Sequence, residues 1–426
     1  MKLTPTVAGL LALSGSVMLA GPAAAQYGSA APAPKTPATA APAAPAGDDA
    51  KQPKVSKDAH KDIVALQTAV NAKDAAAIST ALAAAQAKAK SSDDRYVIGK
   101  LQLKAAVDAN DTAAMQQAIS AVISSGFAQP SELLPLYTSL GKLQYNAKAF
   151  DQASASLEQA LRLDPNNVDA MVVLAESRNS QGRAAEGVTL IQKAIATELA
   201  AGRKPEENWY KRAVKLAYDA KLPTTTDVAL QWATAFPTAS NWREVIRLYQ
   251  IGSQADDADL IDSMRLARAA GALQGESDYF RYTNALVAKG YAGEAKAVLE
   301  EGFASKAIDK SRATFSQLYT LASSRSQGDR ASLGASATAA KAAADAKRAM
   351  TTADAYLGYG DYAEAAALYR VALTKNGVDK DLANLRLGMA LAGAGDKAGA
   401  TAALNAAGGA QSAVAKLWLT YLATKS

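Results

Sequence analysis

The chain has 426 residues, 49% hydrophobic, 20% charged and 6% aromatic, with one histidine, no cysteine and a formal net charge of +6. The missing cysteines exclude disulfides, thiol catalysis, thiolate zinc sites and iron–sulfur clusters, and one histidine cannot build a His-rich metal site. A charge this dilute does not point to nucleic acid.

Lys2 precedes an apolar run from Val7 to Ala20, with Ala23, Ala24 and Ala25 before Gln26. A positive start, a short apolar segment and a small-residue exit predict a secretory signal peptide over residues 1–25, cleaved after Ala25. The run is shorter than the roughly 20 apolar residues of a membrane span, so no integral membrane segment is expected after cleavage. Residues 26–55 repeat alanine and proline. Proline removes backbone donors, and alanine buries too little surface to offset ordering, which predicts a disordered tether.

From Lys57 onward the chain is predicted helical and repetitive. Alanine makes up about a quarter of it; that favours helix and limits the core to thin layers of closely approaching helices. Leu66-x3-Val70-x3-Asp74-x3-Ile78-x3-Leu82 recurs as Leu103-x3-Val107-x3-Asp111-x3-Met115-x3-Ile119. Apolar residues four apart mark one helical face, and each aspartate stands where a second helix would be capped. Degenerate hairpins of this kind are expected over 56–130.

Residues 131–200 carry a more specific pattern. Tyr137-x2-Leu140-Gly141 opens one helix, and Ala153-x3-Leu157-x2-Ala160-x4-Pro165 follows on the next. Met171-x2-Leu174-Ala175 and Gly187-x3-Ile191-x2-Ala194 repeat it. These residues resemble the tetratricopeptide repeat, in which small residues let paired helices approach and large ones fill the space between neighbours. Gln144 and Leu157 depart from it, standing where tyrosine and phenylalanine are usual. Ala353-x2-Tyr356 with Gly360-Asp361-Tyr362, and Leu387-Gly388 with Gly395-Asp396, place two more copies in 347–408. Over 201–346 the copies are degenerate: Trp209-x3-Ala213 and Trp242-x3-Ile246 read as first helices, Gly290-Tyr291 and Gly328-Asp329 as turns. Residues 409–426 read as a capping helix. One alanine-rich hairpin cannot bury enough surface to offset its own ordering, so the copies must stack. The resemblance implies an all-α, right-handed superhelical solenoid of about ten antiparallel hairpins.

No constellation of catalytic residues emerges, so no enzyme activity, cofactor or metal is expected. The chain has neither a phosphate-binding loop nor a nucleophile elbow. Asp93-Asp94 and Asp256-Asp257 fall at helix starts, where acids cap amides. Adjacent pairs such as Glu206-Glu207 and Glu300-Glu301 diverge by about 100° on a helix and cannot face one another. His60 reads as a solvated first-turn residue. Trp209, Tyr210, Tyr218, Trp232, Phe236, Trp242 and Tyr249 crowd one stretch. They read as core filling, with a stacking platform through Tyr210 and Tyr218 as the alternative.

In proteins similar to the repeat family the concave wall comes from the first helix of each hairpin. By spacing, the resemblance places Thr138, Lys142, Tyr145 and Asn146 on that wall, then Val172, Glu176 and Asn179, then Tyr210, Val214 and Tyr218. The basic cage that some members use to grip a terminal carboxylate is matched only by Lys142 and Asn146. The expectation is a periplasmic, non-enzymatic scaffold holding a protein or extended peptide of the cell envelope in its groove. A component of polysaccharide export or envelope assembly, with a glycan partner, is the alternative. A lytic-transglycosylase-like superhelix would need a separate catalytic module, and the segment after the repeats is too short to be one.

Overall fold

A computed structural model describes residues 52–253 and 257–425; the expected signal peptide and nearly all of the tether fall outside them. The described residues form twenty α-helices and no strand. The helices pair consecutively, as expected of a helical solenoid, and they fall into two units divided between Lys204 and Pro205.

The first unit holds α1 (Lys57–Ala72) with α2 (Ala75–Lys88), α3 (Ser92–Asp108) with α4 (Thr112–Ser124), α5 (Pro130–Asn146) with α6 (Phe150–Leu163), and α7 (Val168–Ser180) with α8 (Ala184–Ala200). The turns follow the sequence signals. Asp74 caps α2 and Asp111 caps α4, each carboxylate accepting from amides of the helix it opens. Asp94 does more. It completes a capping box with Ser91 and also accepts from the Ser56 amide at 2.8 Å, while Asp93 accepts from Lys54 at 2.7 Å. The chain entering α1 is thereby tied to α3 from Lys54 onward.

Small residues set the spacing within hairpins. A Cβ built on Gly141 would come within 2.4 Å of Leu157, so α5 and α6 approach as closely as only glycine permits. Gln144, in the position the repeat family gives to tyrosine, is buried and accepts from Ser156 Oγ at 2.7 Å. A hydrogen-bonded pair fills the place of a ring. Leu157, Ala160, Ala170, Val173 and Leu174 form the core there, with Tyr137 and Tyr145 packed against it.

The second unit begins with α9 (Glu207–Asp219) and α10 (Thr225–Ala235), α11 (Ala239–Gly252) and α12 (Asp257–Ala269), and α13 (Gly275–Lys289) and α14 (Ala292–Ala304). A 30-residue helix, α15 (Ala313–Ala342), follows. Then come α16 (Lys347–Tyr359) with α17 (Tyr362–Leu373), α18 (Lys380–Gly393) with α19 (Lys397–Asn405), and the terminal α20 (Ser412–Ala423). Gly328-Asp329, read as a turn, lies inside α15. Gly328 stands in open space among helix-forming neighbours, and one glycine costs a helix only about 1 kcal/mol. The turn at Gly290, by contrast, is present, with a left-handed φ of 85°.

After α15 the second unit doubles back. α14 packs on α16, α10 and α12 pack on α20, and Arg386 of α18 reaches Asp262 of α12 across 124 residues of sequence. The helices α16, α18 and α20 thus lie on the second helices of the earlier hairpins. At α14–α16 the backbones nearly touch: a Cβ on Gly293 would meet the Tyr359 ring at 2.3 Å, and one on Gly358 would meet Glu294 Cβ at 2.9 Å. The terminal helix, expected as a cap, also wedges into this seam. Trp418 and Tyr421 are buried, Tyr421 donates to the Ala269 carbonyl at 2.5 Å, and its ring meets Trp242 edge-on at 5.6 Å.

The seam is ionic as well as apolar. Arg265 pairs with Asp262 at 2.7 Å and with Glu294 at 2.6 Å, and Arg386 pairs with Asp354 at 2.8 Å and with Asp262 at 3.3 Å. Tyr282 donates to Glu294 and Tyr369 to Asp354, each at 2.6 Å. All seven residues are buried. Burial alone would favour neutral forms. Yet the facing carboxylates hold both guanidinium pKa values well above ordinary, and beside Arg265 the Glu294 carboxyl lies below the usual range.

Candidate functional site

Contacts from the first row of the second unit to its second row run through α10, α12 and α14, and through Trp242 on the inner side of α11. Helices α9, α10 and α11 line a solvent-open cleft of about 500 Å³. α9 lines it with Lys211, Val214, Lys215, Tyr218 and Asp219; α10 contributes Trp232, and α11 contributes Ser240, Arg243, Glu244 and Leu248. Val214 and Leu248 are buried and form the apolar floor.

Side chains bridge the three helices. The Arg247 guanidinium stacks on Tyr218 at 5.6 Å, linking α11 to α9, and Lys211 lies over Trp232 at 5.6 Å. Arg243 makes a forked pair with Asp278 of α13, and Arg281 of α13 donates to Gln250 of α11 at 3.1 Å. Glu244 grips Arg247 in the same forked manner, at 2.6 and 2.8 Å. These hydrogen bonds hold Arg243 and Arg247 above their ordinary pKa and Glu244 below its own. At the mouth, Glu207 accepts from Trp232 Nε1 at 3.0 Å and from Asn241 at 3.2 Å, which lowers its pKa in turn. The cleft has an apolar floor, an open ring at Tyr218 and the Arg243 guanidinium, with Arg247 stacked on that ring.

The expected groove residues divide. Val214 and Tyr218 line this cleft, and Tyr218 is 41% exposed. Tyr210 does not: it is buried edge-on against Phe236 at 5.6 Å, which also raises its pKa. The assignment of Tyr210 to the open face is therefore corrected, because one helical position rotates a side chain by about 100° and carries this ring into the hairpin. Trp209, read as the packing residue, is only half-buried. Core filling also holds for Trp232, Trp242 and Tyr249.

In the first unit Thr138 is buried and its hydroxyl donates to the Leu134 carbonyl at 2.9 Å, so it presents nothing to a groove. Lys142 reaches across to Asp169 of α7 at 2.9 Å. Tyr145 packs against Phe150 at 5.7 Å, and Asn146 is exposed at the end of α5. Val172, Glu176 and Asn179 are half-buried along α7. Lys211, Lys215, Arg243 and Arg247 are not among the residues that sequence reasoning assigned to a groove. Their i,i+4 spacing was the available signal.

No cluster of three metal-ligating side chains occurs among the described residues, and no helix there is long and apolar enough to cross a membrane. His60 is exposed in the first turn of α1.

No protein-family model matches the chain, and no curated protein matches it. Among solved structures the chain is similar to one described as "Functional Characterization of Pseudomonas Aeruginosa pilF". The identity is 14%, the match covers 65% of this chain and 90% of that one, and the TM-score is 0.21.

Proposed function

We propose that this protein is a non-enzymatic scaffold that holds a protein partner at the cleft lined by α9, α10 and α11. The observation that carries the proposal is the cleft around Tyr218. In a chain whose other large rings on this stretch are mostly packed away, it leaves a tyrosine open beside preorganised arginines. Tyrosine offers contact area at low entropic cost, and guanidiniums held by carboxylates keep further N–H donors for backbone carbonyls. The leader-like pattern of residues 1–25 supports placing the protein, after export, in the periplasm with an envelope partner.

A photoreactive side chain at Lys215 in cells, beside a control at the exposed Arg370, tests the proposal. A discrete adduct from position 215 and none from position 370 is expected. Adducts only at position 370, or glycan rather than protein at position 215, would contradict it.

A further inference from the structure

A second cavity, of about 640 Å³, lies where the two rows of the second unit meet, lined chiefly by α12, α14, α16, α18 and α20. It shares no residue with the cleft around Tyr218, and its volume lies within the roughly 300–1,000 Å³ usual for small-molecule sites. Leu357 of α16, Met389 of α18, and Trp418, Tyr421 and Leu422 of α20 give it buried apolar walls. The polar tips of both rings are already spent: Trp418 donates to the Asp262 carbonyl at 3.4 Å and Tyr421 to the Ala269 carbonyl at 2.5 Å. What these rings offer a guest is therefore apolar surface.

The charged part of the lining fixes the sign of the guest. Two carboxylates, Glu294 and Glu301, stand against four cations, Arg265, Arg268, Lys397 and Lys425. Glu294 is held by Arg265 and Tyr282, and Glu301 by a forked pair with Arg268. The acids are thus matched by the arginines, and the lysines are left over. Lys397 donates to the Lys425 carbonyl, and the Lys425 ammonium lies over the Tyr421 ring at 4.9 Å. Both lysines are exposed, and neither has a carboxylate partner among the described residues. A lysine stem can lie along apolar surface while its ammonium reaches an anion, and charge-assisted hydrogen bonds there favour an acid over a cation.

We infer that this cavity binds a small amphiphilic carboxylate, its acid at Lys397 and Lys425 and its apolar body against Met389 and Trp418.

Calorimetric titration of the full chain with decanoate, kept below its micellar concentration, is the test. Decanoate should bind at least about tenfold more tightly than decyltrimethylammonium, which has the chain with the wrong charge, and than acetate, which has the head without the chain. The double variant Lys397→Glu with Lys425→Glu, at exposed positions, should weaken decanoate at least about tenfold while the thermal midpoint of the free chain stays put. Ala392→Trp, at a half-buried position on the cavity wall, should abolish binding by filling the space. Failure of decanoate to bind, equal binding of decyltrimethylammonium or acetate, or undiminished binding to the lysine variant would overturn the inference. So would undiminished binding to a folded Ala392→Trp chain.

Discussion

Asp94 shows how one side chain can tie down an entry segment. Burial pushes its carboxyl up, but amides of Ser56, Ser91 and Lys90 outweigh that and bring the pKa down to about 2. A carboxyl depressed on folding stabilises above its unfolded value near 3.8, and that contribution is lost as pH falls toward about 2. Asp94→Ala should therefore cost about 1–3 kcal/mol near neutral pH, because it strands several amides, and should flatten the acid limb of the first unit's unfolding curve. Denaturant melts from neutral pH down to about pH 2 check both. At the seam, Arg386→Ala leaves the buried Asp354 carboxylate without its cation and Asp262 with Arg265 alone; a loss of about 3–5 kcal/mol is expected by chemical denaturation. Glu294 follows the acid sign of Asp94: its pKa is lowered on folding, so its contribution fades as pH falls through the folded value. None of the seam residues announces itself in the sequence. Asp262 and Arg265 have the i,i+3 spacing common on any solvated helix face, and Arg386, which meets Asp262, stands 124 residues away.

Individual helices were legible where punctuation is local. Asp74, Asp111, Gly290 and Gly395 each end or start an element by their own chemistry, and the structure places turns at all four. Gly328 misled because glycine within a helix and glycine after one look alike until the neighbours are known. Paired substitutions separate the two uses. Gly141→Ala and Gly388→Ala would drive a methyl to within about 2.5 Å of Leu157 and Leu404, and a loss of about 1–3 kcal/mol is expected for each. Gly328→Ala, in open space inside α15, should instead stabilise by up to about 1 kcal/mol. Circular dichroism melts of the three variants decide the signs. Tyr210 and Tyr218 teach the same lesson sideways: eight positions apart, they were assigned one face by spacing, yet only Tyr218 is open. Each step of four residues overshoots a full turn by about 40°, so eight positions set the two rings about 80° apart.

For the chain as a whole, stacked hairpins were readable because each alanine-rich copy is too thin to stand alone. The reversal after α15 was not, since nearest-neighbour patterns carry no information about a second row packing on the first. The reversal covers the second helices α10, α12 and α14 and leaves the cleft lined by α9, α10 and α11 open to solvent. The most direct test of that assignment is the variant Tyr218→Ala, followed by partner capture and a thermal melt on the same preparation. The ring is 41% exposed, so the account predicts lost capture with an unchanged melting temperature. A melting temperature lowered as for a buried aromatic, whose removal costs about 3–5 kcal/mol, or capture that persists undiminished, would contradict it.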